Sequence, residues 1–338
     1  MKTGGGLIAK NDLAVYQARL REPIHGTYRG YEVFAPPPPS SGGICLVEML
    51  NILECSRLNE NPATQGRSVS PCHWSPRTMH YVIEAMRRAF YDRARCLGDP
   101  DFVRIPPDLT SKEYAKKLAA GIDPAKATRS DHLGPEIPLV NESENTTHFS
   151  VVDRHGMAVA NTYTLENAFG CRVMVRGAGF LLNNEMTDFN RIPGRTDRKG
   201  EIGTAANLIA PGKRMLSSQT PTFVCRDGRL VLVTGSPGGR TIINTVLCVV
   251  LGVVEFQMDG RAAVDAPRLH HQWFPDRVGF EGLERPEYAA TVERLKQMGH
   301  AFGTKASKQG DAHTIWIDPS TGRPMGVADL RVNEKAAE

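Results

Sequence analysis

An α+β fold, with antiparallel sheets covered by helical layers, is what this sequence predicts. The reading rests on pairs of strand-like runs joined through short turn signals, on helical stretches flanking those pairs, and on the absence of any visible internal repeat. At 338 residues, 41% of them hydrophobic, the chain can bury a substantial core as one large domain or two ordinary ones.

A helix is expected over residues 10–18 and a strand over residues 28–35. Pro36 to Pro39 follow, and four restricted φ angles in a row imply an extended, polyproline-like connector. Ser40, Ser41, Gly42 and Gly43 then start a helix over residues 44–55. Residues 77–97 read as an amphipathic helix, with Tyr81, Ala85, Ala89 and Phe90 on one side. Arg87, Arg88, Arg93 and Arg95 lie largely opposite and read as a solvated face. Thr110-Ser111-Lys112-Glu113 is a capping-box pattern that opens a helix to about residue 120. Residues 121–145, with Pro124, Pro135 and Pro138 among polar residues, read as a loop long enough to imply function or cleavage.

The texture changes at Thr146. Residues 147–152 and 157–164 alternate as strands joined at Asp153-Arg154-His155-Gly156, and an apolar strand is expected over residues 179–182. Residues 223–225 and 230–234 form a second hairpin through Arg226-Asp227-Gly228-Arg229, followed by an apolar helix over residues 241–254. A helix over residues 287–298 precedes a terminal hairpin, 314–318 with 325–328.

Composition narrows the function. The 41 basic and 37 acidic residues leave a net charge of +4, with no basic run of the kind that binds nucleic acid or a membrane surface. Seven cysteines are widely spaced and form no Cys-x-x-Cys pair, so neither a metal site nor a dense disulfide framework is expected. The longest apolar run, residues 246–254, is far short of the ~18 residues of a membrane span, and the first residues contain no apolar core of signal-peptide length.

Five features carry chemistry. Cleavage between Asn145 and Thr146 would give Thr146 a free α-amine beside its hydroxyl, placing nucleophile and base on one residue. Thr162, Thr164 and Glu166 end the strand that pairs with the one starting at Thr146, so a hydroxyl there can hold the nucleophile in register. Glu185 and Asp188 sit three residues apart and can converge on a substrate ammonium. Ser217 and Ser218 can donate to a carboxylate. Gly238 and Gly239 lie between a strand and a helix, where bare amides suit an oxyanion; the Gly-Lys-Ser/Thr ending of a nucleotide loop is absent. Each feature alone is also an ordinary turn or strand. The set describes acyl transfer from an amino-acid-like donor.

These stretches, with Pro211 to Ser218 and Ala266 to Trp273, follow one another in an order that closely resembles the small subunit of γ-glutamyltransferase, also called glutathione hydrolase. Tyr28 to Tyr31, Pro37 to Gly43 and Leu97 to Phe102 resemble the C-terminal part of its large subunit. The resemblance implies a four-layer αββα N-terminal-nucleophile fold, N-terminally truncated, in which residues 1–145 and 146–338 become large- and small-subunit portions that stay associated after self-cleavage at Asn145-Thr146. It implies Thr146 as nucleophile, Thr164 as the threonine orienting it, Glu185 and Asp188 on the donor α-amine, Ser217 and Ser218 on its α-carboxylate, and the Gly238 and Gly239 amides on the oxyanion. Glu166, where many members carry asparagine, is a further donor contact. Lys199 falls in a segment that forms a lid in some members. The implied substrates are glutathione and other γ-glutamyl compounds, with water, amino acids or dipeptides as acceptors, and no metal or organic cofactor. A periplasmic or extracellular location also follows from the resemblance. A related amidase of the cephalosporin acylase or poly-γ-glutamate hydrolase type, and a catalytically inactive fragment with a binding role, are the alternatives.

Overall fold

The computed structural model describes residues 5–58, 73–134, 145–189, 205–306 and 308–332. Cys72, Lys199 and the later part of the expected 121–145 loop lie outside the described residues. Strands β1 (Ile24–Tyr28), β2 (Tyr31–Ala35), β5 (Thr222–Arg226), β6 (Arg229–Thr234), β9 (Thr314–Ile317) and β10 (Pro324–Val327) form one antiparallel sheet in the order β1-β2-β5-β6-β9-β10. Strands β3 (Thr146–Val152) and β4 (Ala158–Thr164) form a separate hairpin that lies against β6 and β9. A third pair, β7 (Leu269–His270) and β8 (Gly279–Phe280), was not anticipated.

The sheet's helical face is built by α2 (Gly42–Glu54), α3 (Pro76–Cys96), α6 (Thr241–Val254) and α7 (Gly260–Asp265). Val33, Val224 and Leu232 point into that core with residues of α2 and α6. Val233 follows Leu232 and so faces the other way, yet it too is fully buried, because the β3–β4 hairpin covers that side. The outward face of the hairpin carries Phe149, Val151, Val159 and Tyr163, which are 42% to 53% exposed.

Local chemistry explains most boundaries. Helix α6 is apolar all round and buried from Ile242 to Val254, as a helix enclosed on all sides must be. Ser75 caps α3 by accepting from Thr78 N, with Pro76 at the first helical position; Ser111 caps α4 (Lys112–Ala120) by accepting from Tyr114 N. Helices α1 (Lys10–Val15), α5 (Ser130–Leu133) and α8 (Ala289–Gln297) complete the set, α8 following a 3-10 turn at Pro286–Tyr288.

Four expectations are corrected. The strand placed over residues 28–35 is a hairpin, β1–β2, because Arg29 and Gly30 take φ of 51° and 81° and close a tight two-residue turn. The four prolines do not form a straight rod: Ser40 N donates to Pro37 O at 3.2 Å and turns the chain. Residues 179–182 form only a bridge, Leu181 to Met174.

The fourth correction concerns the arginines of α3. Arg87, Arg88 and Arg93 are 1%, 3% and 4% exposed, and only Arg95 is on the surface. Arg87 Nε donates to Glu84 Oε1 at 3.3 Å and Arg88 Nη1 to Glu84 Oε2 at 2.5 Å, while Arg87 also pairs with Asp276. α3 is packed between α2, α5 and α8, so its polar stripe meets protein rather than water.

Burial alone would raise the Glu84 carboxyl, but Arg87 and Arg88 outweigh it and hold it below the usual carboxylate range. This stabilisation is therefore full above the unfolded carboxyl value of about 4.3 and is lost as pH falls through the lower folded value. Glu84→Gln is expected to destabilise the fold by about 3–5 kcal/mol, since two buried guanidiniums lose a shared carboxylate. Urea denaturation at neutral pH checks this, and a loss below ~1 kcal/mol would refute it.

Candidate active site

Antiparallel register places Thr146, the first residue of β3, opposite Thr164, the last of β4. The Thr164 hydroxyl accepts from Glu166 N at 2.8 Å and donates to Asn145 O at 3.0 Å. Its hydrogen is thus aimed at the carbonyl of the Asn145–Thr146 peptide bond.

The hairpin is seated by His148, which points inward two residues after Thr146 and is 2% exposed. Its Nδ1 lies 2.6 Å from Thr162 Oγ1 and its Nε2 3.1 Å from Ser150 Oγ. Gly235 packs flat on the ring, and a Cβ there would overlap it. Burial, with His313 adding to it, pushes the imidazole down to about 3, so His148 works as a neutral wedge.

Beyond Thr164 the chain turns sharply at Glu166, whose φ of 72° is uncommon for a residue with a side chain. Asn184 holds the turn: its N donates to Leu165 O at 3.1 Å and its Oδ1 accepts from Asn167 N at 3.1 Å. The acidic 3-10 turn Glu185–Asp188 is thereby laid on Glu166, whose Oε1 accepts from Thr187 Oγ1 at 3.0 Å. Burial first, and then the Glu166 carboxylate, pushes the Glu185 carboxyl up to about 7. Asp188 is buried. Three acidic residues, Glu166, Glu185 and Asp188, thus lie at or beside one turn, with Glu185 poised between charge states.

Asn207 links this turn to the serines. Its Nδ2 donates to Asp188 O at 2.6 Å, and its Oδ1 accepts from Leu216 N at 2.9 Å. Ser217 and Ser218 follow directly, held against the start of α2: Ser217 N donates to Pro39 O at 3.1 Å and Ser41 N to Ser217 O at 2.8 Å.

Gly238 and Gly239 lie between β6 and α6, with φ of 130° and 55°. Their carbonyls accept from Thr241 N and Ile242 N, each at 3.1 Å. Among the described residues neither glycine amide donates to a protein acceptor, which leaves two N–H groups at the mouth of a long helix. No hydrogen bond joins them to Thr146 among the described residues; the two are connected through Gly235 and His148.

The structure therefore brings Thr146 to Thr164, Glu166 to Glu185, and Asp188 to the Ser217–Ser218 loop through Asn207. Sequence reasoning missed His148, Asn207 and the buried Arg93, whose Nη2 donates to Ser218 Oγ at 3.0 Å. A polar residue at an inward position of an alternating strand was the available signal for His148; Asn207 carried none. Among the described residues, His80, Glu84 and His300 group their possible metal-ligand atoms. His80 Nδ1 lies 2.8 Å from His300 Nε2, hydrogen-bond distance and closer than the roughly 3.3 Å between nitrogens around one tetrahedral zinc, and Glu84 is taken by two arginines. Those atoms are engaged with one another.

No helix among the described residues is long and apolar enough to cross a membrane. The glutathione hydrolase proenzyme of Escherichia coli (strain K12) is 44% identical over 332 residues, 98% of this chain and 55% of that protein. The acylase ACY 1 proenzyme of Pseudomonas sp. (strain SE83) is 35% identical over 337 residues, 98% of this chain and 54% of that protein. The cephalosporin acylase of Bacillus halodurans superposes with a TM-score of 0.76 at 25% identity, over 99% of this chain and 56% of that one. The chain thus spans about half the length of the curated relatives it matches. With the gamma-glutamyltranspeptidase family model matching all of residues 1–338, the chain belongs to the gamma-glutamyltranspeptidase family.

Proposed function

We propose that this chain carries the threonine-nucleophile machinery of a self-processing γ-glutamyltransferase and glutathione hydrolase. The observation that carries the reading is the Thr164 hydroxyl, which stands opposite Thr146 and donates to the Asn145 carbonyl. Thr146 Oγ1 attacks that carbonyl carbon, the Asn145–Thr146 C–N bond breaks to leave an ester on Oγ1 and a free α-amine, and water hydrolyses the ester, so that the chain is cut into residues 1–145 and 146–338, which remain associated. The freed α-amine of Thr146 then takes the hydroxyl proton as its oxygen attacks the γ-carbonyl of a donor. Gly238 and Gly239 amides receive the tetrahedral oxyanion. The leaving amine departs with a proton, leaving a γ-glutamyl ester on Thr146. Water resolves that ester to glutamate, or an amino acid or dipeptide acceptor takes the γ-glutamyl group.

Donor recognition follows from charge. Glu185 and Asp188, beside Glu166, take the α-ammonium; Ser217 and Ser218 take the α-carboxylate. Glutathione and other γ-glutamyl compounds fit this pair of receptors. The family resemblance supports a periplasmic or extracellular setting. Acylase relatives share the scaffold, so a donor lacking the α-amine is the discriminating substrate: faster turnover of that donor would assign the chain to the acylases instead.

Incubated at neutral pH, the purified chain is expected to yield fragments of about 16 and 21 kDa at ~110 Da per residue. Thr146→Ala is expected to stay intact. Thr164→Val is expected to slow cleavage by roughly 10²- to 10³-fold, the cost of losing one oxyanion donor, with Thr164→Ser restoring most of it. Gel densitometry with N-terminal sequencing checks this, and equal rates for Thr164→Val and the parent would exclude the proposed role.

Donor binding should also depend on pH with a definite sign. Because Glu185 sits near 7, it holds a proton below that value and forfeits one ion pair with the ammonium. KM for an amine-bearing donor is expected to fall by up to about tenfold per pH unit on approaching 7 from below, then level off. Glu166→Asn removes the neighbouring negative charge and is expected to move the bend to lower pH. A pH-independent KM between about 5.5 and 8 would contradict the assignment of Glu185.

A further inference from the structure

The serine loop has a cation behind it. Arg93 projects from α3 with its guanidinium 5.9 Å from the centre of the Phe90 ring. Its Nε donates to Ser41 Oγ at 2.9 Å and its Nη2 to Ser218 Oγ at 3.0 Å. Ser41 Oγ passes its own hydrogen to Ser217 O at 2.6 Å. The Ser218 carbonyl accepts from Thr220 Oγ1 at 2.8 Å, and Gly42 packs so closely on the Gln219 carbonyl that a Cβ there would overlap it. Both serines are thus set by groups outside their own loop.

A hydroxyl that accepts from a guanidinium must turn its own O–H away from that cation. On Ser218 the Arg93 guanidinium thus fixes the hydroxyl oxygen and polarises its O–H. The guanidinium adds a fixed charge one hydroxyl away, at a depth where salt screens it less than on the surface. Among the described residues Ser217 has no such backing, and its hydroxyl accepts from a backbone donor, Gln219 N, at 3.3 Å.

We infer that Arg93 is a positioning residue that sets specificity for a donor's free α-carboxylate, acting through Ser218 Oγ. The inference rests on the carboxylate role proposed above for Ser217 and Ser218. It narrows the donor class to α-amino acid head groups whose carboxylate is ionised, against their amides and esters. It also separates the two serines, with Ser218 the stronger partner.

The test compares the full parent chain with Arg93→Met and Arg93→Lys on two donors, a γ-glutamyl anilide with a free α-carboxylate and its α-carboxamide counterpart. Arg93→Met is expected to raise KM for the carboxylate donor on the order of 10- to 100-fold, while KM for the carboxamide stays within about twofold. Arg93→Lys is expected to fall between, since it keeps the charge and loses the fork. A mere brace would shift both donors together; that result, or no shift, overturns the inference. Should Arg93→Met fail to fold, Arg93→Lys is combined with Ser218→Ala. Once the relay hydroxyl is gone the lysine should add no further loss on the carboxylate donor, and additive losses overturn the inference. A parent chain that turns over neither donor defeats the proposed function itself, whereas an active parent with undiscriminating variants defeats this inference alone.

Discussion

The register of the β3–β4 hairpin is the constraint on which the site depends. Thr146 faces Thr164 only in the pairing that also puts His148 opposite Thr162 and turns both inward. A slip of one residue would reverse every side chain and carry His148 to the solvent face. The turn at one end fixes the pairing, with Asp153 N donating to Met157 O at 2.9 Å and Asp153 Oδ1 accepting from His155 N at 2.8 Å. The wedge of His148 on Gly235 fixes it from below. A two-stranded hairpin is marginal alone, so its docking on β6 and β9 gives the two threonines a defined separation.

What could be read from the sequence and what could not divide along sequence distance. Hairpin β3–β4 and helix α6 were legible because their signals are local: alternation around a turn, or an unbroken apolar run. The Arg29–Gly30 turn was local too, but one strand was read through it, since Tyr28 and Tyr31 look continuous until both central residues are given positive φ. The arginines of α3 were misread for a different reason. Helical periodicity separates one face from another but does not say whether the polar face meets water or protein, and here Glu84, Asp276, Ser41 and Ser218 await it.

The same division runs through the site. Thr146, Thr164, Glu185 and the two glycines are singled out by residue types in short patterns. Asn207 is not, because its work is to join Asp188 to Leu216, and neither partner is within its own turn. Glu166 illustrates a third case. Its identity was visible, but its effect comes from being buried at a left-handed turn beside Glu185, which raises that neighbour's affinity for a proton. Candidate binding groups thus show in the sequence, while the groups that fasten them and shift their charge show only in the fold.

The glycine loop makes the dependence on distant residues sharpest. Gly238 and Gly239 have no side chains with which to hold themselves, so their amides must be kept in place by their surroundings. Residues 309–313 do this: Asp311 N donates to Ser236 Oγ at 2.8 Å and His313 N to Gly235 O at 3.0 Å. That strap is anchored in turn by Arg268, wholly buried, which donates to Gln309 O at 2.7 Å and to Asp329 Oδ2 at 2.6 Å. Asp329 Oδ2 also accepts from Ala312 N at 2.8 Å, and Glu281 binds both Gln309 N and Arg331. Burial would raise the Asp329 carboxyl, yet Arg268, Ala312 N and Arg331 together hold it below its ordinary range, so it stays ionised at neutral pH. The glycine loop is therefore held through an ion cluster around Asp329, and that loop and residues 309–331 form one mechanical unit.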